Sequence, residues 1–165
     1  GEFKKLPRIE QAKLKKIEDA ADYLTSVNFI RKVFGNPKIK DNKNIGLLLD
    51  VSHIIVSANT RLLKHETKVA IKKQAEAIIR AAKGRIYQLH MNVVKKEGDV
   101  LMDAHQRFMP GEPLSEMVLG IAKEAIMNNP GIFALTLEID NEKEPLRHAM
   151  MIVEQAQLVR KELNI

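Results

Sequence analysis

Two rhythms of apolar and polar positions run along the chain. In its first part, Ile9, Ala12, Ile17, Ala20, Leu24 and Val27 follow Pro7 at helical spacing, and Pro7 suits a first helical turn. That pattern predicts a helix ending near "FGNPK", where Gly35 and Pro37 stop it, and then a polar loop, "NPKIKDNKN". The densest apolar run comes next. "IGLLLDV" is short and bounded by turn-forming residues, which fits a fully buried strand, though a buried helix would give the same run. "KHETKVAIKKQAEAIIRAAKGR" is an amphipathic helix: Ile71, Ala75, Ile78 and Ala82 share a face, and Gly84 is a C-terminal stop.

Beyond Gly84 the period changes to two. In "LHMNVV", Leu89, Met91 and Val93 alternate with His90 and Asn92. In "FALTLEID", Phe133, Leu135, Leu137 and Ile139 alternate with Ala134, Thr136, Glu138 and Asp140. "KKEGD" can turn the first of these into a partner strand, "VLMDAH". "PLSEMVLGIAKEAIMN" reads as a helix ended by "NPG", and Pro145 opens the last helix, with Arg160 and Lys161 near its end as the helix dipole prefers. Strands alternating with helices predict a Rossmann-like layered α/β sheet flanked by helices. Residues 1–43 form an N-terminal helical arm and loop, and residues 44–165 the α/β domain. An all-α bundle competes, because Ile71, Ala75, Ile78, Ala82, Ile86, Leu89, Val93, Val100 and Ala104 nearly continue one helical stripe. Gly84, Gly98 and the two alternating segments favour the sheet.

Composition narrows the chemistry. The absence of cysteine removes disulfide, zinc-thiolate and thiol chemistry and points to a reducing compartment. With no apolar run near the ~20 residues of a membrane span and no secretory signal, the expected location is the cytoplasm. The opening "GEF", without methionine, has the look of a cloning junction, so the chain reads as a piece of something longer. Charge is uneven: residues 1–85 hold 19 Lys+Arg against 9 Asp+Glu, and residues 86–165 hold 8 against 12. A basic half can attract nucleic acid, acidic lipid or an acidic protein, and halves of opposite sign can join copies into a homo-oligomer.

Inside "NIGLLLDVSHIIVSAN", three polar groups, Asp50, Ser52 and His53, interrupt an apolar stretch. In an α/β sheet, sites form outside the carboxyl ends of strands, where Asp50 would stand. Asp140 would end the strand "FALTLEI"; if the two strands are neighbours, both acids share a crevice. Two carboxylates and the Ser52 hydroxyl are oxygen ligands of the kind that suit Mg²⁺. A plainer reading makes Asp50 the cap of a helix starting near Ser52, Asp140 the cap of the last helix, and His53 a hydrogen-bonded interior residue. The five histidines are not spaced as a zinc pair.

"LLLDVSH" resembles the first strand of von Willebrand factor A-type domains, whose metal motif is Asp-x-Ser-x-Ser. "PGEPLSEMVLGIAKEA" is similar to that family's Gly-Thr-Pro-Leu helix start, and "FALTLEIDNEKEPLRHA" to its fourth strand and Thr-Asp-Gly-Glu turn. The resemblance runs from Asn44 to Ile165. Ile54 replaces the second serine, Glu112 the threonine and Asn141 the glycine, and the last strand–helix–strand is missing. It implies a protein-interaction module, either without a cofactor or with Mg²⁺ held by Asp50, Ser52 and Asp140. "LLLDVSHIIVSA" also resembles the first strand and helix of PIN-type nucleases, which gather acids around Mg²⁺ or Mn²⁺ to cut RNA; Asp50, Asp99, Asp103 and Asp140 would be those acids.

On the helix from Lys64 to Gly84, Lys68, Lys72, Lys73, Arg80 and Lys83 cluster beside the apolar stripe. No aromatics are interleaved, which argues against base stacking and leaves a solvated face or a surface for phosphate or an acidic partner. The expected function is a non-enzymatic protein-interaction module. The alternatives are a metal-dependent PIN-type nuclease and a helical nucleic-acid-binding accessory protein.

Overall fold

A computed structural model of the chain describes residues 27–61, 67–82, 84–98, 100–140 and 143–165. The helices are α1 (Val27–Gly35), α2 (Pro37–Lys40), α3 (Val51–Arg61), α4 (Thr67–Ala81), α5 (Pro113–Asn128) and α6 (Pro145–Leu163). The strands are β1 (Leu47–Asp50), β2 (Ile86–Met91), β3 (Val93–Glu97), β4 (Val100–Gln106) and β5 (Ala134–Leu137). β1, β2 and β5 form a parallel sheet in the order β1-β2-β5, and β3 and β4 an antiparallel hairpin. Parallel neighbours need long crossovers. Here α3 and α4 connect β1 to β2, and the hairpin and α5 connect β2 to β5. The layered α/β expectation holds, and the all-α alternative is excluded.

Side chains alternate across the parallel sheet. Leu49, Leu89 and Met91 are buried in one core with Val51 and Ile55 of α3, Ile71, Ala75, Ile78 and Ile79 of α4, and Val118 and Ala122 of α5. The other face carries Leu48, Asp50, Gln88, His90 and Thr136, all partly or largely exposed. This second face leads to the candidate site.

Three local departures from the sequence reading have physical causes. "LHMNVV" is not one strand: it breaks at Asn92, where β2 leaves the parallel sheet and β3 enters the hairpin. The alternation of Met91 and Val93, both buried, continues through the break, so periodicity cannot see it. Ser52 fixes the break. Its Oγ donates to Asn92 O (2.6 Å) and accepts from Asn92 N (3.3 Å), and both residues are fully buried. Second, the polar loop contains the single turn α2, begun by Pro37 and capped by Asn36 Oδ1, which accepts from Lys38 N (2.9 Å). The Arg85 guanidinium donates to the carbonyls of Ile39, Lys40 and Asn42 and lies over the Phe34 ring at 5.3 Å. Third, the end of the expected arm packs on the domain, since Ile30 and Phe34 of α1 are buried in the common core. The helix expected over Ile9 to Leu24 lies outside the described residues. Among the described residues, no helix is long and apolar enough to cross a membrane.

Candidate metal centre

The carboxyl ends of three parallel strands converge. The register sets Asp50, the last residue of β1, beside His90, and His90 beside Thr136. Glu138 is two residues beyond Thr136, so strand geometry returns it to the same face. Its N–H donates to Met91 O at 3.0 Å, which holds it there. One ligand-type atom from each of Asp50, His90 and Glu138 lies within 4.8 Å of the other two. The three side chains are half-buried; His90 is 22% exposed and Glu138 32%.

The two ring nitrogens of His90 have different neighbours. Gln88 Nε2 donates to Thr136 Oγ1 (2.9 Å) and lies 3.2 Å from His90 Nε2. Nδ1 lies 2.7 Å from Glu138 Oε1, so one ring nitrogen of His90 faces the acid and the other faces the Gln88 amide.

The hairpin brings two more groups. Between the pairs Lys95↔Met102 and Val93↔Gln106, β4 has three residues, Asp103, Ala104 and His105, opposite Val94 alone on β3. Such a bulge re-aims side chains, and bulges are common beside functional sites. His105 takes a left-handed backbone, φ 43°, uncommon for a residue with a side chain, and its carbonyl accepts from Asp140 N at 3.0 Å.

Carboxylates and imidazoles then alternate around a ring. Asp50 Oδ2 is 3.9 Å from His53 Nε2, which is 2.9 Å from Asp103 Oδ2. Asp103 Oδ2 is 3.7 Å from His105 Nε2, which is 4.0 Å from Glu138 Oε2. Glu138 bonds His90, and His90 lies near Asp50. Asp140 joins from outside, its Oδ1 3.7 Å from His105 Nδ1.

The residues singled out by sequence fare unequally. Asp50 is in the ring, and it also caps α3, with Oδ1 accepting from His53 N at 3.0 Å; one oxygen serves the helix and the other faces the site. Ser52 is not in the crevice, because its hydroxyl is buried and committed to Asn92. Asp140 and Asp50 do not meet directly, because β2 separates their strands. Asp140 is 78% exposed and touches the ring only through His105, and the N-cap position of α6 belongs to Glu144, whose side chain makes no capping hydrogen bond. His53 is not interior: its side chain is 60% exposed. Asp103 is in the ring, and Asp99 lies outside the described residues. Sequence reasoning missed His90, His105 and Glu138. Spacing along the chain could not find them, but "QLHM" and "LTLE" place His90 and Glu138 on the polar face near two strand ends, which was the available signal.

The basic helix face is more dispersed. Lys72, Lys73 and Arg80 are exposed on α4; the Lys68 side chain and Lys83 lie outside the described residues. Arg80 pairs with Glu76 at 3.5 Å. Lys72 borders a cavity of about 300 Å³ between α4 and α5, together with Glu76, Glu116 and Glu124. Positive charge is therefore interleaved with acids. The chain matches no protein-family model, no curated protein and no solved structure.

Proposed function

We propose that this domain binds a divalent transition-metal ion through Asp50, His90 and Glu138 and uses the ion's remaining positions to hold a carboxylate or similar anionic group of a protein partner. The convergence of these three side chains at the ends of β1, β2 and β5 carries the reading. An imidazole beside two carboxylates favours Mn²⁺, Zn²⁺ or Fe²⁺ over the Mg²⁺ expected from an all-oxygen set. Three protein ligands leave positions open for an incoming group. Small-molecule sites are usually deep and concave, whereas the cavities between α4 and α5 and beside α6 lie away from these residues. Asp50, His90 and Glu138 are half-buried but still reach solvent, where a group on a macromolecular partner can approach them.

A second reading, metal-dependent hydrolysis of the nuclease kind, has one observation in its favour. His53 and Asp103 stand 2.9 Å apart beside Asp50, an imidazole–carboxylate pair of the kind that can act as a general base, and a metal held by Asp50 would supply the activation of water.

Calorimetric titration of Mn²⁺ and Zn²⁺ tests the site. His90→Gln should weaken binding by more than about 100-fold, since even groups behind a ligand are worth 10–100-fold. Asp50→Asn should weaken it too while keeping the helix cap, because Asn caps as well as Asp. Water-proton relaxation on bound Mn²⁺ should report exchangeable waters at the open positions. Unchanged affinity in His90→Gln would sink the reading. Metal-dependent cleavage of RNA or bis-p-nitrophenyl phosphate, lost in Asp50→Asn, would favour the hydrolase instead.

A further inference from the structure

We infer that the cavity between α4 and α5 takes a long aliphatic diammonium ion, a ligand of the polyamine class. The site lies away from Asp50, His90 and Glu138 and rests on nothing in the metal-binding reading. Two small residues stand in its walls, Ala75 on α4 and Gly120 on α5. Glycine inside a helix costs stability relative to alanine, and Gly120 lies in the middle of one. No close approach calls for it, since a Cβ at this position would meet nothing within 4 Å. What the missing side chain leaves is space, part of a cavity of about 300 Å³. That is the lower end of the ~300–1,000 Å³ of small-molecule sites, which are mostly apolar with a few placed polar groups.

The lining sets the chemistry of the ligand. Ala75, Ile79 and Ile121 belong to the hydrophobic core and Met117 packs against it, so the middle of the cavity is apolar. Glu116 and Glu124 lie one turn to either side of Gly120 on the same row of α5. Eight residues of helix set them about 12 Å apart along its axis. Glu116 Oε1 accepts from Gly111 N at 3.3 Å, and Glu124 Oε1 from Asn128 Nδ2 at 3.0 Å. Both donors are neutral, so these contacts leave the charges in place, and a carboxylate accepts more than one bond. Glu76 adds a third acid from α4, half-buried and 3.5 Å from Arg80. Lys72, the cation among the described lining residues, is exposed, and its flexible stem lets the ammonium stand in water.

This set repels an anion, and a neutral apolar chain would leave both acids of α5 unpaired. A single ammonium satisfies only one end. A run of methylenes with an ammonium at each end, about two helical turns long, meets Glu116 and Glu124 together and covers the apolar stretch between them.

The probe is 1,8-diaminooctane, titrated into the full chain and followed by NMR of the Ile79, Met117 and Ile121 methyl groups and the backbone amides. Saturable shifts are expected at these three residues. 1,8-Octanediol, octanedioate and 1,3-diaminopropane should each bind more weakly by about tenfold or more, since hydrogen bonds between charged groups exceed neutral ones and the short diamine cannot span both acids. Glu116→Gln combined with Glu124→Gln should cost a similar factor. Gly120→Leu should abolish binding while raising the thermal midpoint, because the side chain enters open space and Leu favours a helix over Gly. Octanediol binding as tightly as the diamine would overturn the diammonium assignment. 1,3-Diaminopropane binding as tightly would reduce it to a general attraction to acidic surface. Unshifted methyl groups, amide shifts confined to Asp50, His90 and Glu138, or undiminished binding in Gly120→Leu would overturn the cavity as the site. The ligand series is read on the unmutated chain and decides whatever either variant does to folding.

Discussion

The end of the parallel sheet and the outer face of α4 both concentrate charge, but they are assembled in opposite ways. On α4, Lys72, Lys73 and Arg80 come from one helix within a few turns, and their proximity follows from spacing alone. At the sheet end, Asp50, His53, His90, Asp103, His105 and Glu138 come from distant parts of the chain, and only the topology unites them. The helix charges stay exposed, and an exposed pair such as Glu76–Arg80 contributes about 0–1 kcal/mol. Of the sheet-end groups, Asp50, His90 and Glu138 are partly withdrawn from water, a state more costly to leave uncompensated. A helix side can carry charge for solubility alone. Alternating acids and imidazoles collected across several elements are what the metal-binding proposal rests on.

The largest expected effect separates the two regions directly. A ligand that binds only the folded state, present at about a thousand times its dissociation constant, stabilises by about 4 kcal/mol. Thermal unfolding with excess Mn²⁺ should show a rise in midpoint that His90→Gln abolishes and that Lys72→Glu, Lys73→Glu and Arg80→Glu together leave intact. The reverse pattern would move metal binding to α4 and break the comparison.

Ser52 sharpens the boundary of the site. Sequence offered it as a third oxygen ligand, whereas it anchors the strand break at Asn92. Ser52→Ala leaves a buried N–H without its acceptor and should cost about 1–3 kcal/mol in urea unfolding. Mn²⁺ affinity per folded molecule should not change. A drop in affinity without loss of stability would return Ser52 to the ligand set.

What the sequence disclosed follows the same division. Patterns confined to one element were legible: the face of α4, the span of α5 from Pro113 to Asn128, and a strand inside "FALTLEID", although the four residues of β5 are all half-buried rather than alternating and Phe133 is exposed. Asp50 was visible because a carboxylate inside an apolar run needs a reason. His90, His105 and Glu138 were not, because a ligand set drawn from three parallel strands and a bulged hairpin has no characteristic spacing along the chain. Asp140 was expected beside Asp50 on the supposition that β1 and β5 are neighbours. Which strands are adjacent depends on long-range pairing, and β2 lies between them.

Two arginines of the basic half give a smaller effect. Arg85 donates to three carbonyls around the end of α2 and covers Phe34. Arg85→Ala should cost about 1–2 kcal/mol, since each bond to a charged donor exceeds a neutral one. Arg80→Ala loses only the exposed pair with Glu76 and should stay within about 0.5 kcal/mol. Equal losses in chemical denaturation would mean that α4 contributes more to the fold than its exposure indicates.

The smallest effect is expected where net charge alone would suggest the largest. Reversing Lys72, Lys73 and Arg80 to Glu should barely change affinity for nucleic acid, because little affinity should be present to lose. Each phosphate neutralised on duplex DNA contributes a slope of about −0.9 to the log–log salt dependence, so a dedicated surface needs several cations acting together. On α4, Arg80 is already engaged by Glu76, and Lys72 shares the cavity rim with Glu76, Glu116 and Glu124, which repel phosphate. Single strands find no alternative in stacking, since no aromatic is interleaved with these cations. Titration of labelled duplex and single-stranded DNA against rising salt should give weak binding with a shallow slope, little altered in the triple variant. Submicromolar binding with a steep slope, abolished by the reversal, would make α4 a nucleic-acid surface rather than a solvated face.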